Sequence, residues 1–322
     1  MTDWFFGSTH TPLNESLINV CTALHFTPIP ASKQDNFPPH HLHCSYLLSE
    51  LTMAAAAPPR RQQELFTLRF TQALACEFVA TVIFIFIVLG SAFKWPLQLP
   101  SVLQISMAFG LTIGTLVQAF GHISGTHVNP AVTIAYFVGN QISIVRSVLY
   151  VVLQLLGAVT GAGIIYSVTP KDVRHTLALN DLTYGTNPGE ALVVEIILTF
   201  SVVMCIFSAT DKRRTESRGN AALSIGLAVT MAHLIGIYYT GCSLNPARSF
   251  GPAVIMGKFS GAHWVFWLGP IFGASVASVV YNYLLYPQKL SIGERLAIVQ
   301  GFVLPEDEGR STPGTNSERL RT

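Results

Sequence analysis

A chain of 322 residues that is 50% hydrophobic and only 11% charged falls well short of the roughly 25% charged residues of an ordinary soluble domain, and points to a membrane protein. The net charge of +2, with no basic stripe interleaved with aromatics, excludes a nucleic-acid binder. The five cysteines, Cys21, Cys44, Cys76, Cys205 and Cys242, form no CxxC pair and no cluster with histidine, so no metal site is expected.

Residues 1–65 mix Pro, His, Ser and Asn without a sustained period, and lack the charged start and long apolar stretch of a signal peptide. They read as a disordered extension. Within it Met53 opens MAAAAPPRRQQELFT, a plausible start in its own right, and Asn14 sits in a glycosylation pattern that the topology below leaves unused. Six segments then meet the span criterion of roughly 17–25 apolar residues, at about 72–93, 101–120, 147–168, 191–209, 221–240 and 264–286. Two shorter apolar stretches, at about 130–139 and 246–257, each begin with proline directly after asparagine. Segments this short reach membrane depth only as re-entrant pieces shielded by protein. Lys and Arg concentrate before the first span, in the loop DKRRTESRG after the fourth, and in the tail, which places both termini in the cytoplasm. Thr215, Ser217 and Ser311 are weakly signalled kinase sites, and SIGERLAIVQG after the last span reads as a short amphipathic helix.

The two halves repeat. Gly110 precedes Asn129, and Gly226 precedes Asn245, by the same 19 positions; Gly125 and Gly241 each lie four before, Gly157 and Gly273 each 28 after. Glu77 and Glu195 correspond with one small gap. Three spans per half is an odd number, so the halves enter the membrane from opposite sides, with a site expected near the midplane between broken helices.

That site is expected at Asn129-Pro130-Ala131 and Asn245-Pro246-Ala247. Asparagine is a preferred N-cap and proline suits the first helical position, so each triplet reads as a helix start. Ala131 and Ala247 are small enough for the two starts to touch. Two helix N-termini aimed at one point create a local positive potential. The asparagine amides can donate to a lumenal water, orienting it so that a proton-conducting chain is broken, and cations are repelled. Arg248, three residues after Asn245, shares its helix face and projects into a lumen; an intramembrane charge is a functional signal by default.

The motifs SGTHVNPAVT, TGCSLNPARSFGPA and AHWVFWLGP resemble those of the aquaporin family, and the resemblance covers about residues 66–302. It is strongest to the water-selective branch of kidney and gland epithelia. It implies an all-α membrane protein with six transmembrane helices plus two re-entrant half-helices in an inverted repeat, the aquaporin-like right-handed bundle. The channel domain would span 66–288, with repeats at about 70–168 and 190–286, followed by a cytoplasmic tail at 289–322. The resemblance assigns a selectivity filter to Phe109, His233, Cys242 and Arg248, and gives Glu77 and Glu195 the task of holding the re-entrant loops. Family members with glycerol permeability typically carry glycine at the histidine and Asp after the arginine; here these are His233 and Ser249. The implied activity is passive water transport through one pore per subunit, in a homotetramer in the lipid bilayer of the plasma membrane, with apical membrane or intracellular vesicles left open. Neither a cofactor nor catalysis is expected. Two rivals stand beside it: a facilitator of small neutral solutes such as glycerol, and a junctional or intracellular channel of low conductance. Because the resemblance puts Cys242 at the lumen, mercurials are expected to block flow and Cys242→Ser to relieve the block, read as osmotic shrinkage of vesicles; undiminished mercury sensitivity in the variant would remove Cys242 from the pore.

Overall fold

A computed structural model describes residues 62–65, 67–214 and 219–303 of the chain. The expected extension up to residue 61, with Asn14 and Met53, lies outside the described residues, as do Thr215, Ser217 and the tail containing Ser311. Ten helices follow one another among the described residues: α1 Leu68–Ser91, α2 Val102–Ser124, α3 Pro130–Val138, α4 Ile144–Val168, the short α5 Lys171–Arg174, α6 Pro188–Thr210, α7 Ala221–Thr240, α8 Pro246–Met256, α9 Val265–Val279 and α10 Ile292–Val299. The last span continues beyond α9 as a π-helical turn, Val280–Leu285. Six of these, α1, α2, α4, α6, α7 and α9 with its extension, are long and apolar enough to cross a membrane. The half-helices α3 and α8 are not.

Helix ends depart from the apolar runs where polar caps extend them. Thr67 caps α1 by accepting from Phe70 N, so the helix begins at Leu68, four residues before the apolar run at 72. Ser143 does the same for α4. Asn187 and Glu190 form a reciprocal capping box at α6, with Pro188 in the first turn. At the other end, α2 runs through Gly-His-Ile-Ser to Gly125, whose φ of 87° closes the helix in the left-handed conformation. Gly241 closes α7 in the same way with φ 70°. Hydropathy does not register such caps, because the capping oxygen rather than an apolar side chain satisfies the free N–H groups.

The repeat glycines are contact points. An added Cβ at Gly110 would lie 2.3 Å from the Gly226 carbonyl oxygen, and one at Gly226 would lie 2.7 Å from the Gly110 carbonyl oxygen. Here α2 and α7 cross backbone against backbone on the axis relating the repeats. Gly157 meets the Phe78 carbonyl of α1, and Gly273 meets the Ile196 carbonyl of α6, so each repeat closes by the same close approach. The half-helices are exchanged: α8 packs on α4, α3 on α9. Gly251 of α8 abuts the Ala158 carbonyl, and Ser278 donates to the Ala135 carbonyl of α3. Small residues are what lipid-embedded helices need to approach this closely.

Residues 62–65, expected within the disordered extension, are instead ordered. Gln62 and Gln63 pair antiparallel with Val303 and Phe302 as a two-residue ribbon, β1 with β2. Glu64 N donates to the Gly301 carbonyl, and the Glu64 carboxylate pairs with Arg146 at the start of α4. The amphipathic helix α10 is present with a Ser291–Glu294 capping box, and Asn140 donates to its Arg295 carbonyl, which holds it against the bundle. The end of the bundle carrying this ribbon is the ribbon mouth.

Gly226→Ala is expected to force α2 and α7 apart at a cost of about 1–3 kcal/mol, seen as a lower thermal midpoint of the detergent-solubilised protein. Gly163→Ala, where the added methyl would meet only Ile255 Cδ1 at 3.5 Å, should leave the midpoint unchanged or slightly higher.

Candidate functional site

Each half-helix is preceded by a loop with the same unusual backbone. In the first, Gly125, Thr126 and Val128 have positive φ; in the second, Gly241, Cys242 and Leu244 do, all four non-glycine values lying between 51° and 54°. Such conformations cost about 1–3 kcal/mol per non-glycine residue and persist only where surroundings impose them. A buried carboxylate imposes each. Glu77 accepts from Ser124 Oγ (2.7 Å) and His127 N (2.9 Å) on one oxygen, and from Val128 N (2.8 Å) and Gln154 Nε2 (2.8 Å) on the other. Glu195 accepts from Thr240 Oγ1 (2.6 Å), Ser243 N (2.8 Å) and Leu244 N (2.9 Å). Every partner is a donor, which matches a group that only accepts. The hydroxyls extend the arrangement, since Ser124 Oγ accepts from Thr126 N and Thr240 Oγ1 from Cys242 N.

The loops deliver the two triplets to one point. Asn129 Oδ1 caps its helix by accepting from Ala131 N, and Asn245 Oδ1 accepts from Ala247 N. Their amides cross: Asn129 Nδ2 donates to the Leu244 carbonyl (2.8 Å), and Asn245 Nδ2 to the Val128 carbonyl (2.9 Å). Sequence reasoning aims both amides into the lumen; one hydrogen of each instead ties the two loops together, and the accepting carbonyls are those of the left-handed residues. Pro130, Ala131, Pro246 and Ala247 are buried at this junction. Both asparagines line a narrow cavity of about 70 Å3 that extends from His233 to Tyr136 and Thr210.

Toward the end opposite the ribbon mouth, Phe109 of α2 and His233 of α7 lie with ring centroids 4.0 Å apart, and the Arg248 guanidinium carbon is 5.5 Å from the Phe109 centroid. All three side chains are buried. Arg248 Nη1 donates to the Ala178 carbonyl (2.8 Å). His233 Nδ1 lies 2.9 Å from the Val229 carbonyl, which only accepts, so Nδ1 carries the proton and Nε2 of the neutral ring is an acceptor. His233 Nε2 and Arg248 Nε are buried with no protein partner. The fourth expected residue, Cys242, has its sulfur on α7, 3.7 Å from the Ala232 carbonyl and against Gly236.

Several residues of this region carry no signal in the sequence. Gln154 adds a fourth donor to Glu77, while Pro270 stands at the equivalent place in the second repeat. The loop after α5 folds back with Leu177 and Ala178 in positive φ to present its carbonyl to Arg248. From the same loop Asn180 donates to the Thr240 carbonyl and accepts from Ser249. Tyr136 stacks on His127 at 4.4 Å. At the ribbon mouth burial alone would raise Asp211, but hydrogen bonds from Arg213 outweigh it and hold the carboxyl below its ordinary value.

Glu77→Gln turns an NH2 toward a donor set and is expected to cost about 1–3 kcal/mol per donor left unpaired. Glu195→Gln, with three donors rather than four, should cost less. Thermal midpoints of the two purified variants give the ranking, and equal, unchanged midpoints would show that the carboxylates do not restrain the loops.

The profile of the family described as "Major intrinsic protein" matches residues 64–281. Aquaporin-5 of Sus scrofa is 58% identical over 247 residues, 77% of this chain and 93% of that protein. Aquaporin-2 of Homo sapiens is 56% identical over 239 residues, 74% of this chain and 88% of that protein. Among solved structures, the X-ray structure of the aquaglyceroporin from Plasmodium falciparum superimposes with a TM-score of 0.59 at 21% identity, covering 67% of this chain and 97% of that one, which shows a shared fold. Relatives more than half identical over most of their length, and a family profile that spans both repeats, make this chain a member of the major intrinsic protein family, the aquaporins.

Proposed function

We infer that the chain is a water-selective membrane channel through which water flows passively down osmotic gradients. The observation that carries this reading is the pair of unpartnered buried groups at the filter, an acceptor at His233 Nε2 and a donor at Arg248 Nε, beside the Phe109 ring. A water can donate to the first and accept from the second, so its passage satisfies groups that are otherwise costly to bury. The Phe109 and His233 rings, in contact at 4.0 Å, narrow the passage against a three-carbon polyol. The cavity beyond has room for on the order of five waters. At the centre, each asparagine retains a second amide hydrogen for the lumen. Together with the N-termini of α3 and α8, these donors orient a water oxygen toward the junction and interrupt proton transfer, while the positive helix ends and Arg248 repel cations.

One pore lies within each subunit, and the subunits form a homotetramer in the plasma membrane. The ribbon mouth faces the cytoplasm, as the concentration of Lys212, Arg213, Arg214, Lys289 and Arg295 there favours. Cys242 borders the filter through its loop, and Glu77 and Glu195 act as positioning residues for the pore centre. The aquaporin-5 and aquaporin-2 relatives support the assignment to water over small polyols.

Proteoliposomes containing the chain are expected to shrink in stopped-flow measurements far faster than empty vesicles, with glycerol uptake near background. His233→Gly removes the ring that lies against Phe109 and should raise glycerol uptake several-fold. Water permeability equal to that of empty vesicles would overturn the reading.

A further inference from the structure

The pore has a second narrow point, at the ribbon mouth, and it is made differently from the filter. The narrow cavity that holds both asparagines reaches Tyr136 and Thr210. Beyond lies a wider cavity of about 540 Å3, whose wall includes Asn140, Asp211, Arg213 and Gln288. Tyr136 and Thr210 are the two residues that line both spaces. Their hydroxyls are 3.3 Å apart. Thr210 Oγ1 is also 2.8 Å from the Ile206 carbonyl, which can only accept, so the threonine hydrogen is committed there and Tyr136 is the donor in the pair. The phenol is held in this direction by His127, stacked on one side at 4.4 Å, and by Phe207 at 5.0 Å.

We propose that the Tyr136–Thr210 hydrogen bond is a latch that partitions the lumen from the ribbon-mouth cavity and sets how fast water leaves the pore. The proposal rests on the reading of this cavity as a water pore. Tyr136 sits seven residues after Asn129; the equivalent residue of the second repeat is Pro252, which has no hydroxyl. The latch is therefore built at one mouth only, as the filter is built only at the other. When the bond is made, the phenol lies between lumen and cavity. When it is broken, the hydroxyl finds water in the wider cavity; the 3.3 Å bond is long for two hydroxyls, so the two states differ by at most about one net hydrogen bond, and the latch is held closed only part of the time. Because the filter lies some distance away at Phe109, His233 and Arg248, the latch governs throughput and not the choice between water and glycerol.

The test uses the full chain in proteoliposomes with the number of channels quantified. Tyr136→Phe keeps the ring and removes the donor; Thr210→Val keeps the shape and removes the acceptor. Each is expected to raise water permeability per channel roughly two- to ten-fold. The double variant should gain no more than either single one, because both remove the same bond, and glycerol uptake should stay at background in all three. Thr210 is exposed at the end of α6, so Thr210→Val reads the bond even if the tyrosine variant folds poorly. A conducting wild type matched by both single variants overturns the latch and leaves the pore intact. Wild type and variants all at the level of empty vesicles overturn both. A rise in glycerol uptake parallel to that of water also overturns the latch, since it would place Tyr136 in selectivity.

Discussion

Two buried carboxylates hold the centre of this molecule. The loops before α3 and α8 bend through left-handed residues that include a β-branched valine, Val128, for which such a conformation is a real outlier. Beyond Gly125 and Gly241, nothing local in the sequence favours that path. It exists because Glu77 and Glu195, reaching from α1 and α6, gather consecutive backbone N–H groups that would otherwise be unsatisfied away from water. With the loops fixed, the asparagine caps meet, their amides cross onto Leu244 and Val128, and both half-helices start at one point. The polar centre and the position of Arg248 follow from this restraint.

The inverted repeat supplies symmetry where the protein needs it and drops it where it does not. The glycine crossings, the paired hydroxyls at Ser124 and Thr240, and the capped half-helices are duplicated nearly atom for atom. The mouths are not. Arg248 stands in α8 where Val132 stands in α3, and Tyr136 in α3 where Pro252 stands in α8. At the centre the two helix ends are equivalent and each carries the positive end of a half-helix dipole, while Arg248 and His233 have no counterpart in the first repeat.

Much of the architecture was legible because its physical signals are local or periodic. Long apolar runs mark the spans, Asn-Pro marks the half-helices, and the equal spacings of Gly110 and Gly226 about their asparagines betray the repeat. The spacing did not reveal that these two glycines face one another, backbone to backbone, since that contact joins residues more than a hundred positions apart. Span ends ran past the apolar limits because caps such as Thr67 and Ser143 work through an oxygen, which hydropathy ignores. The ordering of residues 62–65 was also invisible, since a polar Gln-Gln-Glu segment gains its order from distant partners, Phe302, Val303 and Arg146.

The sequence alone determined six spans, two re-entrant helix starts, the duplicated carboxylates and the intramembrane Arg248, because composition, capping chemistry and spacing are properties of short segments; Phe109, His233 and Cys242 were singled out by the resemblance of the motifs to the aquaporin family. Only the tertiary structure decided how these groups are used. It turned one amide hydrogen of each asparagine from the lumen to the opposite loop, set the Cys242 sulfur against α7, brought the Ala178 carbonyl to Arg248 and placed Tyr136 against Thr210. Each of those contacts joins distant parts of the chain, and the direction of a hydrogen bond is fixed by whichever partner folding brings within about 3 Å.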